Sequence, residues 1–144
     1  MPVLVTGASG FLGGRLVEML ALEGEQVTIL ARPSSDLRHL SGISGIKVVL
    51  GDITESSAVA EAVRGVKQIF HCAATSTDWA PMETFLQSNV TGTETLLAGA
   101  RQVPRLERFL HVSTTDVYGY PLLPCAETGA RLDVGMPYNR TKIL

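Results

Sequence analysis

The sequence is poor in the residues that build disulfide scaffolds and metal clusters. Its 144 residues include two cysteines, Cys72 and Cys125, and three histidines. A domain of this size buries enough apolar surface without disulfides, and its histidines do not have the spacing of metal ligands. We therefore expect reduced thiols and no metal site, with His71 and His111 as packing side chains on strands.

The sequence also lacks an excess of charge and long apolar runs. Its 12 Lys and Arg and 14 Asp and Glu leave a formal net charge of −2, and the basic residues do not cluster. A nucleic-acid or anionic-membrane surface would require such a cluster. No stretch of 18 apolar residues occurs, and the N-terminus lacks the pattern of a signal peptide. We expect a cytoplasmic protein with neither nucleic acid nor membrane as a partner.

The composition is that of a single globular domain, with 45% hydrophobic and 18% charged residues. Short apolar runs alternate with segments of helical period. Strands are predicted at residues 3–5, 27–30, 48–50, 69–70 and 109–112. Helices are predicted at residues 11–20, at 59–63 after a cap near Thr54 and Ser56, at 82–101, and from 138 onward, after a loop at 118–137. This alternation predicts an α/β fold with a doubly wound parallel sheet, a Rossmann fold.

A glycine-rich segment, TGASGFLGG at residues 6–14, separates the first strand from the first helix. By itself it is compatible with an ordinary structural turn. Its position favours a dinucleotide site, because free N–H groups at a helix start bind phosphate. We expect Gly7 to permit the tight turn, Gly10 to let the backbone approach a pyrophosphate, and Gly13 to allow close helix packing.

Arg32 follows the second strand, where NAD-binding enzymes place an acid that bonds the ribose hydroxyls. An arginine at this position can pair with a 2′-phosphate, which favours NADP over NAD. The alternative is a solvent-facing arginine, since most arginines are exposed. We expect NAD(P) as the cofactor, with a preference for NADP.

Tyr138 and Lys142 are four residues apart at the start of the last helix, so both project from one face. A tyrosine with a pKa of about 10 is a poor base at neutral pH. A nearby ammonium favours the phenolate, which could then exchange a proton with a substrate hydroxyl. The pair therefore predicts general acid–base chemistry.

Six segments carry a resemblance to a known family. They are TGASGFLG (6–13), GDIT (51–54), HCAA (71–74), NVTGT (89–93), HVSTTDVYG (111–119) and YNRTK (138–142). In this order they resemble the extended short-chain dehydrogenase/reductases, the NAD(P)-dependent epimerase/dehydratase family. The resemblance spans nearly the whole chain and implies its cofactor-binding part.

The resemblance implies roles for individual residues. Asp52 and Ile53 would hold the adenine, Ala73 and Ala74 would line the cofactor, and Asn89 would support the active-site geometry. Thr114 would hydrogen-bond the reacting oxygen, with Tyr138 as the base and Lys142 as its activator and ribose anchor. The implied catalytic set is Thr114, Tyr138, Lys142 and Asn89; the implied cofactor set is Gly7, Ser9, Gly10, Phe11, Leu12, Gly13, Arg32, Asp52, Ile53, Ala73, Ala74, Tyr138 and Lys142.

Three of these residues also have simpler interpretations. Asp52 is compatible with a turn before a helix. Asn89 is compatible with a buried, satisfied polar side chain, and Thr114 with a hydroxyl at a strand end.

Family members continue beyond the Tyr–Lys pair with further strands and a smaller substrate-binding region. Residues 1–144 are therefore expected to be an incomplete NAD(P)-binding Rossmann domain, truncated after the fifth strand and of low activity alone. A homodimer of the full-length protein is a further hypothesis.

Three functions stay open at this point. The first is an NAD(P)-dependent epimerase, dehydratase or dehydrogenase that acts on a small molecule, with nucleotide sugars as one substrate class. The second is an NADPH-dependent reductase of small carbonyl or steroid-like compounds. The third is a non-catalytic dinucleotide sensor, against which the intact Thr114, Tyr138 and Lys142 argue.

Overall fold

The structure is a computed structural model that describes residues 1–77, 79–122 and 124–144. Within these residues a single parallel sheet holds five strands in the order β3-β2-β1-β4-β5. The strands are β1 (Pro2–Thr6), β2 (Gln26–Ala31), β3 (Ile46–Leu50), β4 (Gln68–His71) and β5 (Arg108–His111). The predicted doubly wound α/β sheet is confirmed.

Helices connect the strands on both faces of the sheet. They are α1 (Phe11–Leu22), α2 (Ser56–Ala62), α3 (Met82–Phe85), α4 (Gly92–Ala100) and α5 (Pro137–Ile143), with a π-helical turn at Leu86–Thr91 and 3₁₀ turns at Arg38–Leu40 and Thr115–Tyr118. Within the described ranges, no helix combines the length and apolar character needed to cross a membrane.

Two apolar cores cover the two faces of the sheet. Alternating residues of β1 separate them, because successive side chains of a strand point to opposite faces. Val3 and Val5 pack with Val17 of α1, whereas Leu4 packs with Val59 of α2 and Leu96 of α4. Since both of its faces are covered, β1 is apolar without strict alternation, as the sequence predicted, whereas the edge strands β3 and β5 are largely exposed.

The order of the strands defines where a ligand binds. From β1 the chain moves outward through β2 and β3, then returns to the other side of β1 with β4 and β5. The direction of winding therefore reverses between β1 and β4. In open α/β sheets the crevice for ligands lies at the carboxyl ends of the strands at this reversal.

One local prediction was refined and one was wrong. The predicted helix at residues 82–101 is helical from Met82 to Ala100, but its middle turn, Leu86–Thr91, is π-helical, a feature that apolar spacing cannot reveal. Helix α2 is not capped by Thr54 or Ser56. Its N-cap is Glu55, which makes no side-chain cap bond, and the Thr54 hydroxyl donates to Asp52 instead.

His71 is a packing histidine, as predicted, and it links three elements. Its Nδ1 lies 2.8 Å from Thr6 Oγ1 of β1, and its Nε2 lies 2.8 Å from Thr93 Oγ1 of α4. Thr93 donates its own hydroxyl proton to the Asn89 carbonyl. Thr93 must therefore accept from Nε2–H, which fixes one neutral tautomer of the ring.

The neutral state of His71 makes stability depend on pH. Burial, with lesser contributions from His111 and Lys142, lowers its pKa to about 3. The unfolded imidazole has a pKa of about 6.5, so between these values the unfolded chain binds more protons. His71 therefore contributes its full share to the free energy of unfolding above about pH 6.5. Below that pH the contribution decreases, and at pH 5 it is smaller by about 2 kcal/mol.

Urea denaturation at pH 7.5 and pH 5 measures this change. His111, whose pKa is also lowered by burial, contributes in the same direction. A His71→Gln variant should therefore retain a smaller pH dependence than the unmodified chain. An equal dependence in both proteins would show that His71 is not its source.

Candidate active site

The glycine-rich segment forms a tight turn at the carboxyl end of β1. Gly7 has a φ of +75°, and a Cβ on it would lie 2.7 Å from the backbone nitrogen of Ala73. Its carbonyl accepts from Gly10 N–H at 3.0 Å. Both the conformation and the contact with the segment after β4 thus require glycine at position 7.

Gly13 provides the close packing that its position predicts. A Cβ on Gly13 would lie 2.3 Å from the Gly7 carbonyl oxygen, whereas one on Gly10 would lie 3.3 Å from it. Gly10 is the N-cap of α1 and has no side chain to satisfy the N–H groups of the first turn. Phe11 and Leu12 turn their side chains to solvent, 96% and 52% exposed. The backbone start of α1 is thus available to an anion.

A cleft of about 540 Å³ opens over this turn, and we name it the glycine cleft. Ligand sites have volumes of roughly 300–1,000 Å³. Its lining includes every predicted cofactor residue that precedes the last helix: Gly7, Ser9, Gly10, Phe11, Leu12, Gly13, Arg32, Asp52, Ile53, Ala73 and Ala74. A dinucleotide fits this cleft, because its floor is backbone that a Cβ would obstruct and its rim carries Arg32.

Asp52 combines a turn role with its place in the glycine cleft. Its Oδ1 accepts from the backbone N–H of Thr54 at 2.9 Å and from the Thr54 hydroxyl at 2.8 Å. These bonds fix the chain between β3 and α2. The second carboxylate oxygen accepts none of the hydrogen bonds among the described residues, so Asp52 keeps an acceptor for a ligand.

His39 braces the glycine-rich turn, a contact that the sequence did not reveal. Its Nε2 lies 3.1 Å from the Ala8 carbonyl oxygen. A Cβ on Gly14 would lie 2.5 Å from the same nitrogen, so the fourth glycine leaves room for the imidazole. The only sequence signal was a glycine beyond the three that the phosphate motif needs.

Thr114 and Tyr138 lie together at the carboxyl end of β5. Thr114 Oγ1 accepts from Asp116 N–H at 3.2 Å and begins the 3₁₀ turn Thr115–Tyr118. Burial raises the pKa of the half-buried Tyr138 phenol, and the Asp116 carboxylate raises it further. The neighbouring Thr114 hydroxyl acts in the opposite direction. The phenol of Tyr138 is therefore protonated at neutral pH.

The described hydrogen bonds of Lys142 do not include the Tyr138 phenol, and its role as activator stays a prediction. Its Nζ donates to the Val112 carbonyl at 2.7 Å and lies 3.4 Å from His111 Nε2. The ammonium is thereby held against β5, and burial lowers its pKa. His111 lies on the edge strand, where one part of its ring is exposed and the ring also packs against His71, with the centroids 5.0 Å apart, and contacts Lys142.

Asn89 joins the π-helical turn to the loop after β4 and to α5. Its Oδ1 accepts from Thr75 N–H at 2.7 Å, and its Nδ2 donates to the Thr75 carbonyl and to Thr141 Oγ1, both at 3.0 Å. The side chain is buried and fully bonded. Asn89 is therefore a satisfied buried polar residue, and the same hydrogen bonds are the ones by which it would support the active-site geometry.

Asn139 is a second buried amide that sequence reasoning missed. Its Nδ2 donates to the carbonyls of Asp116 at 2.6 Å and Leu132 at 3.0 Å, while its Oδ1 accepts from Val134 N–H at 3.0 Å. It thus binds the start of α5 to the turn that follows Thr114. An asparagine directly after Tyr138, where no helix cap is needed, was the available signal.

The parts of the site share one edge of the sheet. The glycine cleft lies over the ends of β1 and β4, and Thr114, Tyr138 and Lys142 lie at the end of β5. A cofactor in the cleft would supply hydride chemistry, and the phenol beside Thr114 can hold or release a proton.

The chain is similar to curated enzymes over most of its length. A ketoreductase of Stigmatella aurantiaca that acts on a farnesyl quinoline oxide is 36% identical, with 89% of this chain and 38% of the relative covered. A dTDP-glucose 4,6-dehydratase of Mycolicibacterium smegmatis is 35% identical, with 96% and 43% covered. The chain thus spans less than half the length of these curated relatives.

A solved structure shows the same fold. UDP-glucuronic acid 4-epimerase from Bacillus cereus, crystallised with NAD, superposes with a TM-score of 0.84 at 25% identity, with 99% of this chain and 49% of the epimerase covered. The sequence model described as "NAD dependent epimerase/dehydratase family" matches residues 3–144. With nearly its whole length matched, the chain belongs to the NAD-dependent epimerase/dehydratase family.

Proposed function

We propose that the protein carrying this chain moves hydride between a nicotinamide dinucleotide and a carbon that bears a hydroxyl or carbonyl group, as an epimerase, dehydratase or oxidoreductase. One observation carries the proposal: the sheet edge with the glycine cleft also holds Tyr138 with Thr114 beside its phenol. A dinucleotide sensor would need the cleft alone.

The residues of the chain have separate tasks in such a reaction. The glycine cleft binds and orients the dinucleotide, whose nicotinamide supplies the hydride. Tyr138, kept protonated by its surroundings, donates its proton to a carbonyl oxygen, and Thr114 hydrogen-bonds the same oxygen.

Dinucleotide binding is the direct test of the first half of this proposal. Isothermal titration calorimetry of the chain with NADPH and with NADH should show one binding site with micromolar or tighter affinity. Turnover belongs to the complete gene product, where transfer of deuterium from 4-deuterated NADPH to a carbonyl carbon is the expected result. Binding without any transfer to a substrate would support the sensor instead.

We further propose that the preferred cofactor is NADP. Arg32 and Ser35 both line the glycine cleft just after β2, and Arg32 is exposed there. A guanidinium pairs with a phosphate by two parallel charge-assisted hydrogen bonds.

Free thiols at Cys72 and Cys125 support a reducing compartment and hence a cytoplasmic location.

An Arg32→Ala substitution tests the NADP preference. Loss of a charged hydrogen bond should raise the Kd for NADPH about 30-fold and leave the Kd for NADH within about twofold. Arg38→Ala is the matched control, because Arg38 lies in the same loop and pairs with Asp36 at 2.6 Å instead of lining the cleft. If the Kd values for NADPH and NADH rose equally, Arg32 would not be the source of a preference for NADP.

A further inference from the structure

We propose that His39 is a positioning residue of the dinucleotide site, which holds the backbone N–H of Ser9 in the direction of a phosphate group of the cofactor. His39 lies in the 3₁₀ turn Arg38–Leu40 after β2 and is not part of the described lining of the glycine cleft. It therefore acts on the cofactor through the glycine-rich turn. This role rests on the dinucleotide binding of the proposed function and names a residue outside the cleft that sets its strength.

The His39 imidazole holds one carbonyl group of the glycine-rich turn. Its Nε2 lies 3.1 Å from the Ala8 carbonyl oxygen. A carbonyl oxygen can only accept a hydrogen bond, so Nε2 carries the proton and donates it. Both the neutral Nε2–H tautomer and the protonated ring can make this bond.

The direction of the Ala8 carbonyl determines the direction of the next N–H group. In a planar trans peptide the C=O and the following N–H point to opposite sides, and the described peptide bonds include no cis bond. Because the Ala8 carbonyl is directed at His39, the Ser9 N–H points away from His39. Ser9 lines the glycine cleft, and its N–H has no acceptor among the described hydrogen bonds. This donor is therefore available to a phosphate oxygen of a dinucleotide.

The apolar core fixes the backbone on both sides of His39. Leu37 and Leu40 pack into the core cluster that also contains Ala8. Gly14 of α1 leaves the space for the imidazole, since a Cβ at this position would lie 2.5 Å from His39 Nε2. The His39 residue itself is largely exposed. Substitution of His39 should therefore change the glycine-rich turn and leave the core intact.

Two substitutions at position 39 separate the hydrogen bond from side-chain bulk. They are compared by isothermal titration calorimetry of the complete gene product with NADPH and with NADH. His39→Leu keeps a side chain of similar size without an N–H donor, and it should raise both Kd values about tenfold. The two losses should be equal, because both dinucleotides contain the same pyrophosphate. His39→Gln restores an N–H donor of similar reach and should keep both Kd values within about threefold of the original.

A double-mutant cycle with Gly14 tests the same contact from α1. Gly14→Ala places a methyl group where it displaces the imidazole, so it should raise the Kd for NADPH about as much as His39→Ala does. In the double variant the imidazole is already absent, and the Kd should stay within about twofold of that of His39→Ala. Arg38→Ala is the control, because Arg38 lies in the same 3₁₀ turn and pairs with Asp36.

The measurements distinguish this role from the proposed function. Unchanged Kd values in His39→Leu, a loss confined to NADPH, or equal losses for the leucine and glutamine variants would overturn the positioning role and leave dinucleotide binding standing. A lower urea midpoint with unchanged Kd values would also overturn it, because the contact would then be structural only. An unmodified protein that binds neither dinucleotide would overturn both.

Discussion

A Tyr138→Phe variant of the complete enzyme is expected to lose about 10²–10⁴-fold in kcat. The phenol beside Thr114 is the proton donor that we propose, and phenylalanine keeps the ring while removing that proton. Tyr138 does not line the glycine cleft, so the Kd for NADPH should stay within about twofold of its original value. Steady-state rates and NADPH titration on one preparation measure both quantities.

The pH profile provides the control for this variant. Residual activity of the phenylalanine enzyme should lose the alkaline decline that deprotonation of Tyr138 causes in the original enzyme, because the raised pKa of the phenol places that decline on the alkaline side. An unchanged kcat with an unchanged profile would exclude Tyr138 from proton transfer.

A Gly13→Ala substitution should abolish useful cofactor binding, with a rise of at least about 100-fold in the Kd for NADPH. The new methyl group would lie 2.3 Å from the Gly7 carbonyl oxygen, so α1 and the glycine-rich turn must separate. Displacement removes the helix N–H groups from the pyrophosphate position. Overpacking of this kind also destabilises a fold, here by about 1–3 kcal/mol.

Gly99→Ala is the matched control for overpacking. Its Cβ would lie 2.5 Å from Val59 Cγ1, between α4 and α2 and away from the glycine cleft. It should lower the urea midpoint with the Kd for NADPH unchanged. If both variants lost stability and both bound NADPH normally, the glycine-rich turn would not be the phosphate site.

The sequence predicted features that arise from neighbours along the chain. Apolar runs between helical segments predicted the five strands, most clearly β1, which is covered on both faces and must be apolar throughout. Gly7 and Gly13 were assigned their roles correctly, since a turn between a strand and a helix restricts what each glycine can do.

Features that depend on distant residues were not predictable in this way. Lys142 contacts the Val112 carbonyl, 30 residues earlier, so spacing from Tyr138 could not show that its ammonium is held on β5. The His39 brace joins residues 31 apart, and the amide of Asn139 reaches Asp116 across 23 residues. Hydrogen bonds between loops carry no periodic pattern.

Helix α5 is anchored to the rest of the fold in an unusual way, with consequences for motion. The buried side chains of this helix are Asn139 and Thr141, both polar. Apolar contacts tolerate sliding and rotation, whereas hydrogen bonds hold only within a narrow angular range. The rotation of α5 about its own axis is therefore fixed. If the hydrogen bonds of the Asn139 amide were lost, the Tyr138 phenol and the Lys142 ammonium would be displaced together.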